Sequence, residues 1–134
     1  MAEKFSLAHL TLLHCTPPQL VDIAAATGYD FVSLRMTPVT SGEKSFPLFT
    51  DKHMLRCTKE RLTATGLGVL DVELARFDPA TEPESFIPFL EAAVELGARS
   101  VITQLPDAER LRARDRFSRF CDLALPFGLK VVLE

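Results

Sequence analysis

Cysteine is scarce in this sequence. Three occur in 134 residues, Cys15, Cys57 and Cys121, with no C-x-x-C spacing. The odd count and wide separation argue against a disulfide framework and against a zinc knuckle. A reducing cytoplasm is the simplest compartment for such a chain. No apolar run approaches the ~20 residues a membrane span needs. His9 interrupts the only apolar stretch near the N-terminus, so no signal-peptide pattern forms. Charge of either sign is not in excess: 15 basic and 18 acidic residues leave a formal net charge of -3. That balance gives no electrostatic case for nucleic acid or for an anionic membrane. The run Arg110, Arg112, Arg114, Arg116, Arg119 is interleaved with Glu109, Asp115 and Asp122, and reads as a solvated helix face. No G-x-G-x-x-G, Walker loop, G-x-S-x-G or H-E-x-x-H pattern occurs, which argues against nucleotide-dependent hydride transfer and P-loop chemistry. Linkers and low-complexity segments are missing too, so residues 1–134 read as a single domain.

What the sequence does have is a repeat. An apolar helix, a glycine, an apolar strand and a polar end residue recur four times. The copies run Gly28 to Arg35, Gly66 to Glu73, Gly97 to Gln104 and Gly128 to Glu134. Each glycine falls where a helix C-cap needs positive φ. Each following run is apolar enough for a strand buried on both faces, as in a parallel sheet.

A first strand over 5–13 precedes the repeats. Thr16-Pro-Pro-Gln19 is a capping box with proline at N1, and it opens a helix with Leu20, Ile23, Ala24 and Thr27 on its inner face. The second strand covers 31–34. A loop over 36–49 follows, either a substrate lid or a variable surface loop. Thr50 caps the second helix, and the third strand covers 69–74. The third helix begins between Thr81 and Ser85, with Phe86, Leu90, Ala93 and Val94 inward. The fourth strand covers 100–103. Asp107 caps the fourth helix, whose stripe is Phe117, Phe120, Cys121 and Ala124. The fifth strand covers 131–133. This order fits a doubly wound sheet or the first part of a (β/α)8 barrel. A doubly wound domain would close with a fifth helix, and none follows Glu134. The expectation is therefore an α/β fold of the parallel (β/α)8 TIM-barrel type, truncated after the fifth strand, with strands in the order 1-2-3-4-5 and all helices on one side.

Ligands of parallel α/β folds bind at the carboxyl ends of strands. Glu134 there can bind a hard divalent cation or act as general base. Asp71 and Glu73 face the same side of their strand, and Glu73 either contacts substrate or a metal shell or pairs with Arg35 or Arg76. Arg35 either fixes a substrate carboxylate or phosphate or pairs with Glu73 and shapes the pocket. His9 is a core residue or a ligand, and Gln104 can hydrogen-bond a hydroxyl. His14 and His53 read as surface residues.

Four stretches, 5–11, 26–35, 69–79 and 121–134, together with 89–99, resemble the sugar phosphate isomerase/epimerase family, the xylose-isomerase-like TIM barrels. The likeness is most specific at the closing Gly-Leu-Lys-Val-Val-Leu-Glu. The resemblance implies a divalent metal ion (Mn, Mg, Co or Zn) at the strand tops, with Glu134 matching the strand-five glutamate and the other ligands on strands six to eight. It implies metal-assisted handling of a hydroxy-carbonyl sugar or polyol. Glu134 and Glu73 are then the catalytic carboxylates, and His9, Arg35 and Gln104 bind substrate. A dehydratase of inosose or dehydroshikimate type and a non-catalytic half-barrel binding module are the alternatives. Residues 1–134 alone are expected to be inactive. Their open strand edges favour a homo-oligomer.

Overall fold

Thr16 and Gln19 set the first helix as the sequence requires. The Thr16 hydroxyl accepts from the Gln19 N–H, and the Gln19 carboxamide accepts from the Thr16 N–H at 2.9 Å. In the computed structural model, which describes residues 2–134, helix α1 spans Pro17–Ala26. The other helices are α2 (Lys52–Thr65), α3 (Ile87–Glu95) and α4 (Arg110–Ala124). They alternate with strands β1 (Ser6–Ala8), β2 (Phe31–Arg35), β3 (Gly68–Arg76), β4 (Ser100–Gln104) and β5 (Lys130–Leu133). Short 3-10 turns cover His9–Leu12, Pro83–Phe86 and Leu125–Phe127.

The five strands form one sheet in the order β1-β2-β3-β4-β5, and every pairing is parallel. The doubly wound alternative needs the chain to reverse its order at a switch point, so it is excluded. Sequential right-handed crossovers put every helix on the same face. Ion pairs between neighbours trace that layer: Asp22–Arg61 joins α1 to α2 at 2.7 Å, and Lys59–Glu95 joins α2 to α3 at 3.2 Å. Arg116 and Arg119 tie α4 to Glu82 and Glu84 before α3. Between helices and sheet lies the core, with Leu20, Val32, Leu34, Val72, Phe89 and Phe120 all at 1% exposure or less.

Several local expectations need correction. β1 ends at Ala8 instead of reaching 13, because the His9 ring bonds the Cys15 carbonyl at 2.8 Å and folds the chain into a 3-10 turn. Asp51, not Thr50, caps α2, accepting from the Met54 N–H at 2.9 Å; the Thr50 hydroxyl turns to the Pro47 carbonyl. Glu109 caps α4, while Asp107 accepts from Arg112. Val94 is 46% exposed and Ile23 36%, since the inner stripes run through Phe89, Leu90 and Ala93, and through Leu20, Val21 and Ala24. Thr27 is exposed, and its hydroxyl returns to the Ile23 carbonyl. Arg116 is not part of a solvated face. Its side chain is 11% exposed and holds the Asp78 and Pro79 carbonyls.

Candidate functional site

On the sheet face opposite the helices, register lines up polar residues in rows. Ser33, Asp71, Ser100 and Lys130 stand side by side. One step further along the strands, Arg35 pairs with Glu73 and Glu73 with Ile102. Arg76 and Gln104 follow at the tips.

Arg35 is fully engaged. Its Nε and Nη2 each lie 2.9 Å from Glu73 Oε2, and its Nη1 lies 2.9 Å from Glu43 Oε1. The other Glu43 oxygen accepts from the Val39 N–H at 3.1 Å. These side chains are only 8–12% exposed. Burial works against the guanidinium charge, but the two carboxylates outweigh it and hold the Arg35 pKa above its usual value. Of the two readings open for Arg35, the structure shows the ion pair with Glu73.

His9 joins the same cluster. Its Nδ1 faces the Arg35 N–H at 3.2 Å and accepts from it, so the neutral ring carries its proton on Nε2 and donates to the Cys15 carbonyl. The ring stacks on Phe46 at 5.6 Å. Burial pushes the His9 pKa down, against the opposing pull of the Cys15 bond and Glu73. Both ring nitrogens are thus committed to the backbone.

Gln104 and Glu134 form a second group. The Gln104 amide donates to Glu134 Oε2 at 3.0 Å, and the Glu134 N–H donates to the Thr103 carbonyl at 2.9 Å. Glu134 is exposed. The five residues singled out in the sequence therefore fall into two bonded sets at one sheet edge, His9–Arg35–Glu73 and Gln104–Glu134.

Below the tips, the Ser6 and Ser33 hydroxyls are 3.0 Å apart, and Ser33 donates to Asp71 Oδ2 at 3.1 Å. Asp71 Oδ1 is buried without a partner among the described residues, as is Arg76 Nε. Burial pushes the Asp71 carboxyl up, and Glu73 adds to it against the Ser33 bond. Sequence reasoning missed Glu43, Phe46 and Ser33. Ser33 had a signal, as the one polar residue inside Phe-Val-Ser-Leu. Glu43 and Phe46 lie in the 36–49 loop, which packs onto the strand tips with Met36 and Leu48 at 1% and 0% exposure.

Glu134 and Gln104 supply hard oxygen donors, but a hard cation wants six or more. Among the described residues no group of three His, Cys, Asp or Glu is placed to hold a metal ion. The described donors alone therefore do not fit a divalent metal centre.

No family model and no curated protein matches this sequence. Solved structures do match. A xylose isomerase domain containing protein from Salmonella typhimurium superposes with TM-score 0.72 at 14% identity, over 97% of this chain and 48% of that one. The D-allulose 3-epimerase from a Methylomonas species, solved with D-allulose, gives 0.68 at 15%, over 97% and 50%. The IolI protein with a bound zinc atom gives 0.66 at 17%, over 98% and 51%. The fold is half of a TIM barrel. The chain spans about half the length of the solved structures it matches.

Proposed function

We propose that this chain is the strand-one-to-five portion of a sugar isomerase or epimerase acting on a neutral hydroxy-carbonyl sugar or polyol. One observation carries the reading: two bonded sets of carboxylate side chains, one with an arginine and one with an amide, stand at the carboxyl edge of a parallel sheet whose fold is shared with a D-allulose 3-epimerase. Glu134 has one oxygen on Gln104 and one uncommitted, the form a base or hydroxyl acceptor needs. Glu73 likewise bonds Arg35 through Oε2 alone, leaving Oε1 for a substrate hydroxyl. Arg35 has its Nε, Nη1 and Nη2 all on carboxylates, so it orients Glu73 and has little left for a phosphate. With one exposed carboxylate at β5, residues 1–134 by themselves bind substrate weakly and do not turn it over.

Calorimetry with the full chain tests the substrate class. Titration with a neutral ketohexose in millimolar Mg is expected to give weak 1:1 binding, and its phosphate ester is expected to bind no better. Tighter binding of the phosphate, lost in Arg35→Met, contradicts the neutral-substrate reading.

A further inference from the structure

Arg76 stands at the carboxyl edge of the sheet without a partner. It closes β3, and the register sets it beside Gln104 of β4. Its neighbours in sequence, Ala75 and Phe77, are both fully buried in the core under the helices. Successive strand residues point to opposite faces, so Arg76 faces the side away from the helices. That is the side on which the Gln104 amide donates to Glu134.

The donors of Arg76 are idle. Its Nε is buried with no hydrogen-bond partner, and no ion pair among the described residues includes its guanidinium. The carboxylates nearby are held elsewhere. Asp78, two residues on, accepts through Oδ1 from the Ala80 N–H at 2.9 Å and from the Thr81 hydroxyl at 2.8 Å. Glu73 is bonded to Arg35, the other arginine of this edge, which spends Nε, Nη1 and Nη2 on carboxylates. A guanidinium has donors only, and a buried donor left unsatisfied is costly. Arg76 is thus a half-buried cation lacking an acceptor, next to a carboxylate with one uncommitted oxygen.

We propose that Arg76 is a catalytic residue that donates to the carbonyl oxygen of the hydroxy-carbonyl substrate and to the negative charge that develops there. The proposal rests on the reading of this edge as a sugar site. When a proton leaves the carbon beside the carbonyl, it goes to the free Glu134 oxygen. The C–H electron pair becomes a carbon–carbon double bond, and one C=O pair moves onto the oxygen. That oxygen thereby gains a full negative charge. A donor already in place beside it stabilises the charged form far more than the neutral one.

This role separates two kinds of anion. An aldonate carries its carboxylate at the carbonyl end of the carbon chain, where Arg76 meets it with a charge-assisted hydrogen bond. A ketose 6-phosphate carries its charge at the opposite end, so the Arg76 contact does not select for it.

The test follows the ¹⁵N-labelled full chain by NMR, arginine Nε–H signals included, during titration with D-fructose and with D-gluconate. Gluconate is expected to bind about tenfold more tightly than fructose at the same strand ends, and to move the Arg76 Nε–H signal. Arg76→Gln should abolish that preference by weakening gluconate more than fructose. Arg76→Lys keeps the charge but loses the planar fork, and should retain part of the preference. Equal affinities in the wild type, or a preference that persists in Arg76→Gln, overturn the role of Arg76 and leave the sugar reading standing. Should Arg76→Gln fail to fold, the wild-type signal decides: gluconate binding that leaves the Arg76 Nε–H unmoved overturns the role. Fructose that shifts no strand-end residue overturns the sugar reading itself, and the proposal with it.

Discussion

Arg35 is the residue on which the β2–β3 edge depends. It holds two carboxylates in a setting where all three side chains are 8–12% exposed. Removing the cation leaves Glu43 and Glu73 buried and mutually repelling. Arg35→Met is therefore expected to cost about 3 kcal/mol in denaturant unfolding at neutral pH; a loss within experimental error would mean the pair is idle. His9 makes a prediction of a different kind. Its folded pKa lies below the unfolded value of 6.5, so the fold favours the neutral ring. That contribution is complete above pH 6.5 and is lost as pH falls through the lower folded value, because the unfolded chain then binds the extra proton. Asp71, with its raised pKa, acts in the opposite sense and is common to wild type and variant. The thermal midpoint of wild type should fall more steeply between pH 6.5 and 5 than that of His9→Gln, and parallel curves would refute the assignment.

Elements show what sequence could and could not reveal. Repeat glycines, the Thr16 capping box and apolar runs are local, and they were legible: Gly28, Gly66, Gly97 and Gly128 all have positive φ, as a left-handed cap requires. The caps of α2 and α4, by contrast, fall one and two residues beyond the expected Thr50 and Asp107. At Gly66, φ is +75° and an added Cβ meets nothing within 4 Å. Gly66→Ala should therefore cost about 1 kcal/mol from backbone strain alone, with no change in the folded structure. A neutral substitution in chemical denaturation would contradict the cap. The end of β1 was not legible, because it depends on a side-chain bond from His9 to the Cys15 carbonyl six residues on, which apolar patterning does not reveal. Nor was Arg116, which reads as one basic residue among several until α4 packs beside Asp78 and Pro79.

At the scale of the molecule, the fold could be read because sequential order follows from four repeated βα units. The site was legible only in part. Strand-end position singled out Arg35 and Gln104, which close β2 and β4, and Glu134, which follows β5, whereas Glu73 lies three residues inside β3, which runs on to Arg76. Strand-end position did not identify Glu43 or Phe46, which reach that edge through an irregular loop without periodicity. Glu43 changes the chemistry, because its carboxylate takes the donor that would otherwise face an anionic substrate. That engagement is what supports the proposal of a neutral sugar as substrate. The direct measurement is a backbone NMR titration of the ¹⁵N-labelled full chain with a neutral ketohexose in Mg-containing buffer. Shifts should concentrate at Arg35, Glu73, Arg76, Gln104 and Glu134, and vanish in Glu134→Gln. Shifts confined to residues away from the strand ends, or unchanged by that substitution, would contradict it.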